Sequence, residues 1–160
     1  MAQLLKIDGP LLEQGKLGER ILRALPVWFG IESAIVEYRT AIDRMPTFLA
    51  RRGDTVVGFM TVERHFPNAA ELHVLGVLEH EHRTGVGRAL LEHVEAWLRD
   101  DDCRWLQVKT LSEGRPCEFY ARSRAWYDAM GFEPLQVFPL LWDEFNPCLQ
   151  LVKRIDLPAC

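Results

Sequence analysis

Residues that could bind an anion lie together in the middle of the chain. An apolar segment, residues 71–78, is followed by a polar connection and then by Gly85, Val86, Gly87 and Arg88. A strand, a Gly-x-Gly turn and an amphipathic helix in this order aim several backbone N–H groups at one point, and such a helix start binds phosphate. The segment therefore predicts a phosphate site.

Groups that could move a proton lie on the strands just before this turn. A hairpin turn centred on Asn68 places Glu63 opposite His73 and His65 opposite Glu71 on neighbouring strands. An acid paired with an imidazole can transfer protons at neutral pH, and it can equally be a solvated charge pair. Both interpretations remain open from the residues alone.

The elements that position these groups follow from hydrophobic spacing and from turn residues. The pattern predicts strands at 3–8, 47–52, 55–65, 70–78, 104–110, 135–142 and 148–153, and helices at 11–25, 31–45, 85–99 and 118–130. Strands that first meander and then alternate with helices predict an α/β (α+β) fold, with a mixed, mostly antiparallel central sheet of about six to seven strands and helices on both faces.

The buried faces of two helices can also be predicted. In the helix from Gly85, the spacing buries Val86, Leu90, Val94, Trp97 and Leu98 and leaves Arg88, Glu92, Glu95 and Arg99 facing water. In the last helix it buries Phe119, Ser123, Trp126 and Met130, with Tyr127 beside that stripe. Gly131 then serves as a left-handed C-terminal cap.

Composition narrows the class of protein. The chain has 160 residues, 48% of them hydrophobic, and a formal net charge of −4. We expect one domain over residues 1–160, no binding of nucleic acid, no membrane segment and a cytoplasmic location. Cys103, Cys117, Cys148 and Cys160 lack a C-x-x-C spacing, so we expect reduced thiols, and His80 and His82 lack the further ligands that would indicate a metal site.

Two familiar phosphate loops do not fit the glycine turn. A Walker loop requires Lys and then Ser or Thr after its last glycine, whereas Arg88 and Ala89 follow Gly87. A dinucleotide fingerprint requires a third glycine where this chain has Leu90. A nicotinamide-dependent oxidoreductase is therefore disfavoured but stays an alternative.

The glycine turn and a downstream motif together resemble the GNAT family of acetyl-CoA-dependent N-acetyltransferases. The family has Gln/Arg-x-x-Gly-x-Gly/Ala after a strand, and here His82 precedes Gly85 and Gly87 at that spacing. It also has an aromatic-Tyr pair four residues before Gly-Phe, matched by Trp126-Tyr127 and Gly131-Phe132. The resemblance covers residues 47–153, with two departures: His82 replaces Gln or Arg, and Tyr120 replaces a frequent Asn.

The resemblance implies that acetyl-CoA is the cosubstrate and that no metal takes part. It also implies a cofactor site at the residues of this sequence that match the family's motif. Its cofactor-binding residues would be Leu75 and Val77 on the strand and His82, Arg83, Thr84, Gly85, Val86, Gly87, Arg88 and Ala89 in the loop and helix. Backbone amides of the loop would hold the pyrophosphate, and the strand would pair with the pantetheine arm. Gly76 within the strand suggests a bulge there.

The resemblance also implies an acid, a base and an acceptor site. Tyr127 would protonate the departing thiolate, while Glu71 is the first candidate for the base and His73 the second. The acceptor, a small-molecule or peptide amine, would meet Trp28, Phe29, Asp143 and Glu144. A homodimer is left open, and so is a non-catalytic acyl-CoA-binding module on the same fold.

Overall fold

The computed structural model describes residues 3–157, which form seven strands and four α-helices. The strands are β1 (Leu5–Leu11), β2 (Thr47–Arg52), β3 (Thr55–Phe66), β4 (Ala69–Val77), β5 (Trp105–Leu111), β6 (Glu133–Asp143) and β7 (Asn146–Arg154). The helices are α1 (Gly15–Arg23), α2 (Glu32–Arg44), α3 (Val86–Asp100) and α4 (Glu118–Ala129), and a 3₁₀ turn lies at Glu79–Glu81. Within these residues, no helix has the length and apolar character that a membrane span requires.

The strands form one mixed sheet in the order β1-β2-β3-β4-β5-β7-β6. The pairs β1·β2, β2·β3, β5·β7 and β6·β7 are antiparallel, whereas β4 and β5 are parallel. Parallel neighbours need a crossover connection, and α3 lies in the segment between β4 and β5. The predicted α/β fold with a mostly antiparallel sheet of six to seven strands is confirmed.

The chain separates into two compact units. Residues 3–63 and 73–98 form the first unit. Its core is a cluster of buried residues from α1 and the segment after it, from α2 and from the strands: Ile21, Leu22, Leu25, Ile42, Leu49, Val56, Phe59 and Val74. Residues 64–72 and 99–157 form the second, where the buried residues include Leu106, Val108, Phe132, Cys148 and Leu151.

The first strand and the first helix differ from their predicted bounds. Leu11 ends β1, and α1 begins only at Gly15, so the predicted helix at 11–25 was too long at its start. Gly15 and Gly18 mark the contact between α1 and α2. A Cβ added at Gly15 would lie 2.5 Å from the Arg39 carbonyl oxygen, and one at Gly18 would lie 2.5 Å from Ile42 Cδ1. These glycines permit a close helix approach.

Helix α3 buries more of its surface than a single stripe. Glu95 is 7% exposed, so the prediction that it faces water was wrong. Leu91 and Leu98, one turn before and after Glu95, are also buried, which shows that this side of the helix packs against protein. Trp97 is half-buried, with its ring edge-on to Phe48.

Strand β6 stands out because nearly all of it is exposed. Only Phe138 among its residues is half-buried, although the strand carries Leu135, Leu140 and Trp142. It lies at the edge of the sheet and pairs with β7 alone. The tight turn at residues 144–145 joins the two strands.

Candidate active site

The end of β4 makes a hydrogen bond with the polar connection that follows it. The amide of Leu78 donates to the Val57 carbonyl at 2.8 Å, and His82 Nε2 lies 2.7 Å from the Val77 carbonyl oxygen. The Trp28 ring stands edge-on to the His82 imidazole, with ring centroids 5.6 Å apart. Three residues that the sequence assigned to the site, Val77, His82 and Trp28, are thus brought together.

A second contact holds the start of the glycine loop. Arg52 Nε lies 3.2 Å from Glu81 Oε1, and the Thr84 hydroxyl donates to Glu81 Oε2 at 2.8 Å. Hydrogen bonds from Arg52 and then from Thr84 lower the pKa of the Glu81 carboxyl. The Glu81 side chain is only 12% exposed, so this pair connects the loop firmly to β2.

The loop then turns sharply into α3. Arg83 and Gly85 have positive φ values of 63° and 91°, and a Cβ added at Gly85 would meet no atom within 4 Å. The first bond of the helix runs from the Ala89 amide to the Gly85 carbonyl at 3.0 Å. The amides of residues 86–88 precede that bond, so this helix start offers N–H donors beside open space.

These features suit a phosphate group. Helix N-termini attract anions through free N–H donors and through the positive end of the helix dipole. The side chains of Arg83 and Arg88 are exposed on either side of Gly85 and add positive charge. Among the described residues, this helix start combines the donors, the space and the charge that a pyrophosphate requires.

Gly76 in β4 has a packing role. A Cβ there would lie 3.1 Å from Leu25 Cδ1 and 3.2 Å from Ile21 Cγ2, both in the core of the first unit. The glycine therefore lets β4 approach α1 closely. Leu75 and Val77, on the other face of the strand, are half-buried. The bulge that the sequence suggested stays a prediction.

Glu71 is buried in the second unit and makes hydrogen bonds with three side chains. It is 6% exposed, and its Oε1 lies 2.8 Å from Lys109 Nζ, 3.1 Å from Gln107 Nε2 and 2.9 Å from His65 Nε2. Lys109 Nζ also contacts Oε2 at 3.1 Å. The predicted pairing of His65 with Glu71 is confirmed, whereas Lys109 and Gln107 were not predicted to join them.

His73 lies in the first unit beside an acid and an aromatic ring. Its Nδ1 is 3.3 Å from Glu63 Oε2, which confirms the predicted pair. The Tyr38 ring stands edge-on to the imidazole at 5.9 Å, and Phe29 packs edge-on against Tyr38 at the same distance. The His73 side chain is 27% exposed, so its imidazole is far more accessible than the Glu71 carboxylate.

Tyr127 lies near the end of α4 and is 7% exposed. Its ring makes edge-on contacts with Trp126 at 5.3 Å and with Phe132 at 5.6 Å. The chain reverses there because Gly131 has φ 92°, and the Phe132 amide donates to the Tyr127 carbonyl at 3.0 Å. The predicted glycine cap is confirmed.

The predicted burial of α4 needs one correction. Phe119, Ser123 and Trp126 are only half-buried, whereas Tyr127 itself is the most buried residue of the helix. Met130, just after the helix, is buried as predicted, so the residues that pack inward lie at the C-terminal end, at Tyr127 and Met130. Arg124 Nη1 donates to the Leu111 carbonyl at 2.7 Å and attaches the helix to the end of β5.

The residues predicted to meet the acceptor have identifiable local roles. Trp28 and Phe29 are half-buried and pack against the core cluster of the first unit. Asp143 closes the β6–β7 turn, since its Oδ1 accepts from the Phe145 amide at 2.8 Å, and hydrogen bonds from Asn146 lower its pKa. Glu144 is exposed in that turn.

Comparison with known proteins agrees with this geometry. Residues 19–132 match the acetyltransferase (GNAT) family. Aminoglycoside N(6')-acetyltransferase type 1 from Stenotrophomonas maltophilia is 38% identical over 103 residues, which cover 54% of this chain and 67% of that protein. The crystal structure of a protein from Desulfovibrio desulfuricans, described as an acetyltransferase of the GNAT family, superposes on this chain with a TM-score of 0.81. The two sequences are 17% identical, and the match covers 95% of this chain and 99% of the other.

A further crystal structure, an aminoglycoside 6'-N-acetyltransferase complexed with coenzyme A, has a TM-score of 0.72 at 16% identity, covering 97% of this chain and 99% of the other. The fold is thus that of the acyl-CoA N-acyltransferases. Because the family match spans more than half of the sequence, the chain belongs to the acetyltransferase (GNAT) family. It is an N-acetyltransferase that depends on acetyl-CoA.

Proposed function

We propose that the protein transfers the acetyl group of acetyl-CoA directly to an amine, with both substrates bound together. The observation that carries this proposal is the start of α3, where Gly85 leaves open space beside the first amides of the helix. In the proposal, amides of residues 83–88 hold the pyrophosphate and Arg88 adds charge. Leu75 and Val77 pair with the pantetheine arm, and Thr84 and Ala89 border the loop.

Acetyl transfer requires two proton movements. The amine nitrogen attacks the thioester carbonyl, the C–N bond forms, and the C–S bond breaks as the thiolate leaves. We assign Tyr127 as the acid whose phenolic proton passes to the sulfur, and a base takes one proton from the amine nitrogen. The buried ring of Tyr127, clamped edge-on by Trp126 and Phe132, supports this role because its orientation is restricted.

Two residues are candidates for the base. A lysine-like amine is neutral in only about one molecule per thousand at pH 7, so a base within reach accelerates the reaction. Glu71 is buried and already accepts from three donors. His73 is more accessible and has Glu63 beside Nδ1, which leaves Nε2 to receive a proton. We therefore favour His73 as the base and give Glu71 the role of a supporting negative charge.

The acceptor in our proposal is a small-molecule amine. The relative from Stenotrophomonas maltophilia is an aminoglycoside acetyltransferase, so polyhydroxylated cationic amines are the first class to test. Trp28 and Phe29 would supply aromatic surface, and Asp143 and Glu144 would supply negative charge that suits a cation. A peptide amine is the alternative class.

The proposal includes a cytoplasmic location and assigns no step to a metal. The described cysteines, Cys103, Cys117 and Cys148, are free thiols, as is usual in a reducing compartment, and Cys160 lies outside the described residues. A homodimer is left open, and sedimentation of the purified protein measures it directly.

Tyr127→Phe tests the assignment of the acid. We expect kcat to fall by about 100-fold, because the variant keeps the ring and loses only the hydroxyl that carries the proton, while the KM for acetyl-CoA changes little. Tyr120→Phe, in the same helix, is the matched control and should retain the wild-type rate. An unchanged rate in Tyr127→Phe would remove the assignment.

Release of free CoA thiol, measured against aminoglycosides, polyamines, amino acids and peptides, tests the reaction and its acceptor class together. We expect cationic small-molecule amines to give the highest kcat/KM. Binding of acetyl-CoA without thiol release for any amine would instead indicate a non-catalytic acyl-CoA-binding module. Binding of NAD in place of acetyl-CoA would indicate an oxidoreductase.

A further inference from the structure

Three neighbouring strands bring polar side chains to one place in the second unit. Glu71 of β4 is in register with Gln107 of β5, and Lys109 of β5 is in register with Gln150 of β7. The Gln150 amide donates to the Gln107 carbonyl oxygen, and the Gln107 amide in turn donates to Glu71. Residues 106, 108 and 151, which alternate with these, are buried and apolar.

A carboxylate in such a place requires a positive partner. Glu71 is 6% exposed, and removing a charge from water is unfavourable unless another charge and hydrogen bonds compensate it. Lys109 is the cation that contacts both of its oxygens, at 2.8 Å and 3.1 Å. Because two contacts fix both oxygens, the lysine sets the orientation of the carboxylate as well as its charge.

We propose that Lys109 is a positioning residue for acetyl transfer and that it acts through Glu71. The inference rests on the proposed function, in which Glu71 contributes a negative charge to the handling of the amine. Lys109 places a positive charge beside that carboxylate and holds it in one orientation, with Oε1 facing His65 at 2.9 Å. Gln107, itself held by Gln150, supplies the third contact and prevents rotation of the carboxylate.

A double-mutant cycle between Lys109→Met and Glu71→Gln tests this coupling. Met keeps much of the length of the Lys stem, and Gln keeps the shape of Glu, so both variants remove charge with little change in packing. We expect Lys109→Met to lower kcat by about tenfold, as substitutions of orienting partners do at other sites, with less than a twofold change in the KM for acetyl-CoA. Lys109→Arg, which retains the charge, should recover part of the loss.

The decisive comparison is made in the Glu71→Gln background. A residue that acts through Glu71 has nothing left to position once that carboxylate is gone, so the double variant should have the kcat of Glu71→Gln alone. Equal losses in both backgrounds would show that Lys109 acts independently and would overturn the proposal. A Lys109→Met variant with lowered thermal stability but an unchanged kcat would also overturn it, in favour of a purely structural pair.

The design separates this inference from the proposed function. If the wild-type protein releases no thiol with any amine, the proposed function fails before the cycle begins. Lys16→Met, at an exposed position of α1, controls for loss of a lysine and should match the wild type. Should Lys109→Met fail to fold, Lys109→Gln takes its place in both backgrounds of the cycle, because its amide can still donate a hydrogen bond to the buried Glu71 carboxylate.

Discussion

At the residue scale, Gly85 occupies a position where the backbone is left-handed and the space around it is open. Its φ of 91° is one that residues with a Cβ rarely adopt, although no atom lies within 4 Å of the place where a Cβ would stand. Conformation alone therefore opposes substitution in the free protein. Once a phosphate approaches the amides of residues 86–88, a Cβ would also occupy part of its volume.

Gly85→Ala should separate these two effects. We expect the free energy of unfolding to fall by about 1–2 kcal/mol because of the positive φ, and the affinity for acetyl-CoA to fall by about tenfold because the Cβ keeps the phosphate from the backbone. Gly53→Ala is the control, since Gly53 has φ 57° in the β2–β3 turn and the atoms nearest to its added Cβ belong to the movable Gln3 side chain.

Calorimetry with acetyl-CoA and denaturant unfolding of both variants give the two quantities. Gly53→Ala should lose a similar amount of stability and bind acetyl-CoA normally. Normal binding by Gly85→Ala would contradict the pyrophosphate site, even if its stability fell as expected.

At the scale of elements, the contact between α1 and α2 depends on how closely two helices can approach. The amide of Gly15 donates to Asp43 Oδ1 at 2.7 Å, and an added Cβ would lie 2.5 Å from the backbone oxygen of Arg39. Backbone atoms of a packed helix cannot move without shifting the helix. The clash at Gly18 is with Ile42 Cδ1, the end of a flexible side chain.

The same substitution at the two glycines should therefore have different results. We expect Gly15→Ala to lower the free energy of unfolding by about 1–3 kcal/mol, the usual range for overpacking. Gly18→Ala should lose less, because Ile42 can change rotamer and because alanine favours a helix over glycine by about 1 kcal/mol. Urea unfolding measures both, and a larger loss at Gly18 would contradict this account of the interface.

These glycines also show where the sequence is informative about elements and where it is not. Hydrophobic period and turn residues predict β2 at both ends and α4 at its start, because each is bounded by clear local signals. The start of α1 depends on tertiary contact with α2, which no local pattern contains. The burial of Glu95 in α3 likewise depends on which elements pack around it.

Some features of the candidate site can likewise be predicted from local sequence signals, and others cannot. Motif spacing identifies the glycine loop and Tyr127, and strand alternation with a turn at Asn68 predicts the His65–Glu71 and His73–Glu63 pairs. The contact of Lys109 with Glu71 requires the parallel pairing of β4 with β5, and that register cannot be obtained from strands 28 residues or more apart in sequence. The anchor of Glu81 to Arg52 is non-local for the same reason.

At the scale of the whole molecule, the titration of carboxyls and thiols in several elements should lower the free energy of unfolding at both low and high pH. A side-chain hydrogen bond is the largest cause of a lowered pKa at four of the described carboxyls. Arg23 donates to Glu32, Arg52 to Glu81, Asn146 to Asp143 and Arg154 to Asp156. Burial raises the pKa of the Cys103 and Cys148 thiols above the ordinary value of 9.0.

The sign of each contribution follows from proton linkage. A carboxyl whose pKa is lower in the native state stabilises the fold above its ordinary pKa, 4.5 for Glu81, and loses that contribution as the pH falls through the native value. A thiol whose pKa is raised stabilises the fold below 9.0 and loses that contribution as the pH rises further. These groups predict greatest stability between pH 4.5 and pH 9.0.

Urea unfolding of the wild type and of Glu81→Gln across this pH range tests the loss of stability at low pH through one group. At pH 7 the variant should be about 1 kcal/mol less stable, since it loses the charged contact with Arg52, and the difference should shrink as the pH falls below 4.5. Glu79→Gln, in the same 3₁₀ turn at an exposed position, should match the wild type throughout. A difference between wild type and Glu81→Gln that stays constant with pH would show that Glu81 acts through its shape, not its charge.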